Sequence, residues 1–123
     1  MEKYILYARK STDTEDKQVL SIEAQLAELR KFAKDNDLAV IDELIEKRTA
    51  KMPGRPVFNS MIKRIENGEA NGILAWHPDC LARNSIDGGQ IIYLLDQTTL
   101  NYLQFPVFQF ENISQGKFML SIM

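Results

Sequence analysis

Short apolar runs alternate along the chain with segments of helical periodicity. The runs cover residues 3 to 8, 38 to 45, 72 to 76 and 103 to 110, and Pro106 places the last one near a sheet edge or a bulge. Between the runs, apolar residues recur three and four positions apart, as in helices that cover a sheet. The alternation predicts an α/β domain, with a largely parallel sheet of four to five strands in the order β-α-β-α-β-α-β.

Three helices are predicted between these strands. The first follows Ser21 as its cap, and the second begins at Arg55-Pro56 and is closed by Gly68. The third is expected from about Ser85 to Gln97. Its apolar side is predicted to carry Ile86, Ile91, Leu94 and Leu95.

A polar turn follows the first strand and contains Arg9, Lys10, Ser11 and Thr12. A serine hydroxyl is a poor nucleophile at neutral pH and needs a base, a positive field or both. Arg9 and Lys10 are placed to supply the field for Ser11. By composition alone, such a turn is also ordinary loop chemistry.

The third strand is followed by a second polar segment, which contains Asp79 and Arg83. In a parallel sheet ordered 2-1-3-4, the first and third strands are neighbours, so this segment and the turn with Arg9 and Ser11 should emerge side by side. A basic loop, residues 47 to 56, follows the second strand and is long enough to reach over them.

Three arginines are candidates for contact with a phosphate group. Breaking a phosphodiester requires stabilisation of negative charge on the phosphoryl oxygens, and planar guanidinium forks suit that geometry better than lysine. The candidates are Arg9, Arg55 and Arg83. On composition alone, a surface arginine is more often solvated than bound to a ligand.

Four segments, in this order, resemble the catalytic domain of the serine recombinases, which include resolvases, invertases and integrases. The segments are Tyr7 to Thr12, Ser21 to Leu26, Glu46 to Met61 and Trp76 to Asn84. The middle segments look most like the large serine recombinases, and the resemblance runs from about Tyr4 to the last residue. It implies a resolvase-like catalytic domain over residues 1–123 that ends at the start of the family's long connecting helix.

The resemblance also implies a role for each matching residue. Ser11 matches the nucleophile that forms a transient 5′-phosphoserine bond to DNA, and Arg9, Arg55 and Arg83 match arginines around the scissile phosphate. Asp79 matches the acidic residue beside them, and Gln25 matches a polar residue near the nucleophile. The family needs no metal or nucleotide cofactor.

Two of these roles have simpler alternatives. Asp79 could cap a short helix after Pro78, and Gln25 could be a solvated helix residue. His77, next to Pro78 at a strand end, is more readily interpreted as structural than as a catalytic base. Glu46 and Lys51 border the basic loop and are candidates to orient it.

Cys80 departs from the family pattern. Where the family usually reads Asp-Arg-Leu-Ala-Arg, this chain reads Asp-Cys-Leu-Ala-Arg over residues 79 to 83. Loss of one charge-stabilising donor commonly lowers a rate by about 100- to 1,000-fold. Cys80 therefore indicates either a weakened catalyst, which an arginine at this position would improve, or a non-catalytic homologue that serves assembly.

Composition narrows the possible partners. The 123 residues fit one domain, and a formal net charge of -2 argues against a domain whose main task is to grip the DNA backbone. The resemblance implies that double-stranded DNA is the partner, that the intact protein forms a homo-oligomer, a dimer or tetramer, and that most DNA affinity lies in other segments. A flavodoxin-like phosphate-binding module is disfavoured because no glycine-rich loop follows the first strand.

The cysteine content and the length of the apolar segments indicate the cellular compartment. Cys80 is the only cysteine and His77 the only histidine, so a disulfide framework and a structural zinc site made by these residues are both excluded. No apolar segment is long enough to span a membrane. We expect a cytoplasmic protein in a reducing environment.

Overall fold

The computed structural model describes residues 2–10 and 20–107, which form a parallel sheet with helices packed on both faces. The strands are β1 (Tyr4–Arg9), β2 (Val40–Glu46), β3 (Gly72–Ala75) and β4 (Tyr102–Gln104). The helices are α1 (Ile22–Asp35), α2 (Pro56–Glu66), α3 (Pro78–Leu81) and α4 (Ser85–Asp96). The α/β class with a largely parallel, four-stranded sheet is confirmed for these residues.

The strand order is β2-β1-β3-β4, and every neighbouring pair is parallel. This is the order that the sequence predicted. Every residue of the central strand β1 is buried, because strands flank both of its edges and helices cover both faces. In the register of β1 and β3, Tyr7 lies opposite Ala75, so the carboxyl ends of both strands meet at one edge of the sheet.

Alternate residues of β1 feed two separate cores. Ile5 and Tyr7 pack with α2 and α4 on one face, and Leu6 packs with α1 on the other. The α1 core includes Leu29, which is fully buried. Because β1 is anchored on both faces, the position of the residue at its end is fixed by the whole domain.

The predicted helix signals are present in the structure. The Ser21 hydroxyl accepts a hydrogen bond from the Ala24 amide at 3.1 Å and caps α1, as expected. Pro56 occupies the first turn of α2. Gly68 follows this helix with φ of +82°, a left-handed conformation that glycine adopts without steric cost.

Several boundaries differ from the prediction. The first three strands are Tyr4–Arg9, Val40–Glu46 and Gly72–Ala75 instead of residues 3 to 8, 38 to 45 and 72 to 76, so Arg9 belongs to β1 and not to the turn after it. Strand β4 begins at Tyr102 rather than Leu103 and ends at Gln104, because Pro106 lies in a turn and cannot donate to the sheet. The remainder of the predicted strand, residues 108 to 110, lies outside the described residues. Likewise α4 ends at Asp96, one residue earlier than expected.

The predicted apolar face of α4 is wrong at one position. Ile86 is 61% exposed, whereas Asp87 is buried. At 100° per residue, Ile86 lies about 140° from Ile91 around the helix axis, so the two cannot share one buried face. Asp87 stands four residues before Ile91 and takes the inward position instead.

Residues 2–10 and 20–107 contain no helix that is long and apolar enough to cross a membrane. In the same ranges, no group of three histidine, cysteine or acidic side chains is arranged to hold a metal ion.

Candidate active site

The candidate site lies at the carboxyl edge of β1 and β3. Arg9 is the last residue of β1, and the chain leaving β3 turns into α3, which carries Asp79 and Cys80. Arg9 and this segment are side by side, as the strand order predicted, because the Arg9 guanidinium reaches the Cys80 carbonyl. Ser11 lies outside the described residues, two positions beyond Arg9.

The Arg9 side chain is fully buried and is held by backbone carbonyls. Its Nε donates to the Cys80 carbonyl at 3.1 Å, and its Nη1 donates to the Arg48 carbonyl at 3.0 Å. These acceptors belong to α3 and to the basic loop. Arg9 therefore joins three segments of the site: the end of β1, the helix after β3 and the loop after β2.

Gln25 is a buried residue of α1 that fixes the end of β1. Its Oε1 accepts from the Arg9 amide at 3.2 Å, and its Nε2 donates to the Arg9 carbonyl at 2.9 Å. The same Nε2 donates to the Leu20 carbonyl at 2.9 Å. The interpretation of Gln25 as a solvated helix residue is wrong. Its amide holds the backbone just before Ser11, in the manner of a neighbouring strand.

Arg55 is also buried, and its guanidinium points into the core. Nη1 donates to the Tyr7 hydroxyl at 3.0 Å, while Nη2 donates to the Leu81 carbonyl at 2.6 Å and to Asp87 Oδ2 at 3.0 Å. Its Nε has no hydrogen-bond partner, although the guanidinium lies 4.1 Å from the centroid of the Phe58 ring. Only 1% of Arg55 is exposed, so its direct contact with a phosphate stays a prediction.

Tyr7 and Glu46 continue this buried network. The Tyr7 hydroxyl donates to Glu46 Oε1 at 2.9 Å. The Glu46 carboxylate also accepts from the Val57 and Phe58 amides at 3.2 and 2.7 Å, and so satisfies the first turn of α2. Burial strongly raises the pKa of Tyr7, with the Glu46 carboxylate adding to the effect and the nearby Arg55 opposing it. The phenol therefore keeps its proton and acts as a donor.

The residue that caps α3 is His77 rather than Asp79. His77 Nδ1 accepts from the Asp79 amide at 3.0 Å and caps α3, so the interpretation of Asp79 as the cap is wrong and the structural interpretation of His77 is confirmed. The Asp79 side chain is 48% exposed, and its Oδ2 lies 3.8 Å from His77 Nδ1. Its carboxylate is therefore accessible at the sheet edge.

Arg83 and the basic loop are joined through one carbonyl. The Arg83 amide donates to the Ala50 carbonyl at 2.9 Å, and Asn84 Nδ2 donates to the same oxygen at 3.1 Å. Ala50 is fully buried, whereas Met52 nearby is 63% exposed. The loop is thus anchored at Ala50, and Arg83 is partly exposed beside it.

Cys80 lies inside the domain with 1% of its surface exposed. Its carbonyl accepts from Arg9, but its thiol occupies a buried position rather than the open edge of the site.

The profile of the resolvase N-terminal domain matches residues 4–123. The chain belongs to the resolvase N-terminal domain family. It is therefore a serine recombinase catalytic domain, from an enzyme class that carries out site-specific DNA recombination. The resemblance drawn from the sequence motifs is confirmed.

Solved structures share the fold of this resolvase domain. The N-terminal catalytic domain of TP901-1 integrase is 23% identical with a TM-score of 0.74, covering 98% of this chain and 90% of that one. A resolvase family site-specific recombinase from Streptococcus pneumoniae is 22% identical with a TM-score of 0.71, covering 98% and 84%. The C-terminal catalytic domain of ISC1926 TnpA, an IS607-like serine recombinase, is 16% identical with a TM-score of 0.69, covering 95% and 76%. No curated protein sequence matches the chain significantly.

Three residues of the resolvase domain's buried network are not predicted from the sequence. From the sequence, Tyr7 is expected only as a strand residue, and Asn84 and Asp87 have no predicted role. One signal was available: Asp87 stands four residues before Ile91 in a helix that is otherwise mostly apolar, which places a carboxylate on the core face. A buried carboxylate requires a donor partner, and Arg55 provides it.

Proposed function

We propose that this resolvase domain cleaves and rejoins double-stranded DNA with Ser11 as the nucleophile. The Ser11 Oγ attacks the scissile phosphorus, the 3′ oxygen leaves with a proton as a free hydroxyl, and the 5′ phosphate stays on the serine. The reverse attack by a 3′ hydroxyl on this ester rejoins the strand. Because one phosphoester replaces another, no external energy source is required.

One observation carries the proposal. Parallel pairing of β1 and β3 brings Arg9 within 3.1 Å of the Cys80 carbonyl, so the residue two positions before Ser11 adjoins the segment that carries Asp79 and Arg83. A phosphate bound at this edge of the sheet would thus lie close to the segment that carries Arg83. Arginine donors at this place would stabilise the charge that develops on the phosphoryl oxygens.

The proposed partner is a duplex, bound by a homo-oligomer of the intact protein. Cleavage of two DNA sites and exchange of their ends requires four nucleophiles, which a tetramer supplies. The net charge of -2 supports a division of labour, in which this domain performs the chemistry and other segments supply most of the affinity for DNA.

Replacement of Ser11 by alanine tests the nucleophile. The intact protein is incubated with a duplex that carries its recombination site, and covalent protein-DNA adducts are separated under denaturing conditions. We expect Ser11→Ala to abolish the adduct while site binding stays within twofold. Ser60→Ala, at an exposed position of α2, serves as the matched control and should form the adduct normally. An adduct with Ser11→Ala would exclude Ser11 as the nucleophile.

A second candidate function is assembly with an active partner, without catalysis. It is favoured by Cys80, a buried thiol at the position where the family usually has an arginine. Cys80→Arg in the same adduct assay separates the two functions. A rise in adduct formation indicates a weakened catalyst. The absence of adduct from both proteins, at a temperature where thermal unfolding shows the variant to be folded, supports the assembly role.

A further inference from the structure

Asp87 lies at the centre of a buried network that connects Arg55 with the basic loop. Its side chain is 2% exposed, and its Oδ2 accepts from Arg55 Nη2 at 3.0 Å and from Asn84 Nδ2 at 2.8 Å. Asn84 Nδ2 also donates to the Ala50 carbonyl at 3.1 Å. One carboxylate oxygen thus holds both a candidate active-site arginine and the side chain that anchors the loop.

Asn84, which joins Asp87 to the basic loop, is held at both ends of its side-chain amide. Its Oδ1 accepts from the Asp87 amide at 2.9 Å and caps α4, so the side chain is fixed at both of its ends. The residue before it, Arg83, donates its amide to the same Ala50 carbonyl. A shift of Asp87 would therefore be transmitted to Arg55, to the loop and to the backbone of Arg83.

A contribution to stability does not by itself explain why the ion pair of Arg55 and Asp87 is buried. Burial of an ion pair has a desolvation cost that can exceed its Coulombic gain, and apolar residues of similar volume often serve stability as well or better. Here the pair adjoins the site, and Arg55 also supports α3 through the Leu81 carbonyl. Arg55 and Asp87 therefore support the segment between residues 77 and 84.

We infer that Asp87 is a positioning residue for DNA cleavage, which acts through Arg55 and Asn84 to hold Arg83 and the basic loop at the scissile phosphate. Asp87 itself touches no substrate in this mechanism. The inference rests on the proposed function, because it assigns Asp87 to the same reaction.

Asp87→Asn removes the charge and keeps the size of the side chain. We expect the single-turnover rate of adduct formation to fall by about 10- to 100-fold, the range that a small misplacement of catalytic groups produces. DNA affinity should stay within twofold. Asp96→Asn, at the exposed end of the same helix, is the matched control and should leave the rate within twofold of the wild type.

A double-mutant cycle separates positioning from general destabilisation. If Asp87 acts in part through Arg55, Asp87→Asn should lower the rate by a smaller factor in an Arg55→Lys background than in the wild type, because the two changes disrupt one unit. Rates are measured at a temperature where thermal unfolding shows every variant to be folded. Fully additive losses, or an Asp87→Asn rate equal to that of the wild type, would overturn the inference.

Asn84→Ser provides an independent variant should Asp87→Asn fail to fold. Serine caps a helix about as well as asparagine but lacks the amide that bonds Asp87 and Ala50. We expect adduct formation to fall by about tenfold, measured at a temperature where thermal unfolding shows the variant to be folded. An unchanged rate would overturn the inference. If the wild type forms no Ser11-dependent adduct, the proposed function itself fails, so the two failures are distinguishable.

Discussion

Removal of the Tyr7 hydroxyl should destabilise the domain far more than the loss of one surface hydroxyl. The oxygen donates to Glu46 Oε1 at 2.9 Å and accepts from Arg55 Nη1 at 3.0 Å, and Tyr7 is fully buried. Tyr7→Phe keeps the ring, which contacts Phe58 edge-on at a centroid distance of 6.1 Å. The variant therefore deletes two hydrogen bonds and creates almost no cavity.

The magnitude follows from the partners. Hydrogen bonds to charged groups contribute about 1.5 to 3 kcal/mol each, but Glu46 keeps two amide donors and Arg55 keeps Leu81 and Asp87. We therefore expect a loss of about 3 kcal/mol in the free energy of unfolding, or roughly 10 °C in unfolding temperature for a domain of this size. Burial raises the pKa of Tyr7 strongly, so the loss should not vary with pH near neutrality.

Urea and thermal unfolding of the two proteins measure this difference. Tyr93→Phe is the matched control, because Tyr93 is 62% exposed, and it should change the free energy of unfolding by less than about 0.5 kcal/mol. A Tyr7→Phe protein that unfolds as the control does would refute the buried network from Glu46 to Arg55. A loss that already disappears below the ordinary tyrosine pKa of about 10 would refute the protonated phenol.

Two further predictions concern Cys80 and Glu43. Cys80→Arg should lower the unfolding temperature by several degrees, because Cys80 is 1% exposed and overpacking of a core costs about 1 to 3 kcal/mol. Cys80→Ala should change the unfolding temperature little. Equal stability of the two variants in thermal unfolding would place residue 80 at the surface. The Arg30 guanidinium beside Glu43, with hydrogen bonds at 2.8 and 2.6 Å, lowers the pKa of that carboxyl. The stabilisation by the Glu43 carboxylate is therefore complete above its unfolded-state pKa of about 4.5 and is lost as the pH falls through the lower folded-state value. Glu43→Gln should make the free energy of unfolding less dependent on pH in this acidic range. An unchanged dependence of that free energy on pH would contradict the ion pair.

The strand order and the site's location were predictable because they depend on local patterns and one topological rule. Apolar runs indicate four strands, and in a parallel sheet of the order 2-1-3-4 the carboxyl ends of the neighbouring strands β1 and β3 meet at one edge. This order predicts Arg9 beside the segment of Asp79 and Arg83. The caps at Ser21 and Gly68 were equally local signals.

The partners of the buried arginines were not predictable in the same way. Arg55 bonds Tyr7, Leu81 and Asp87, which lie 48, 26 and 32 positions away in the chain. No spacing rule connects such residues, and charged side chains are usually exposed. The sequence therefore predicts all three arginines around an open phosphate site, whereas Arg9 and Arg55 are buried in the structure.

Arg9 and Arg55 both donate hydrogen bonds to carbonyl groups at the end of α3. A helix leaves its last carbonyls without intrahelical donors, and in α3 these oxygens are bonded by guanidinium groups: Arg9 Nε donates to Cys80 and Arg55 Nη2 to Leu81. If either guanidinium turned to a phosphate, it would leave a buried carbonyl without its donor, at a cost of about 1 to 3 kcal/mol. We therefore expect the segment from residue 77 to 83 to move together with any arginine that engages DNA, so that Asp79 and Arg83 are repositioned in the same step.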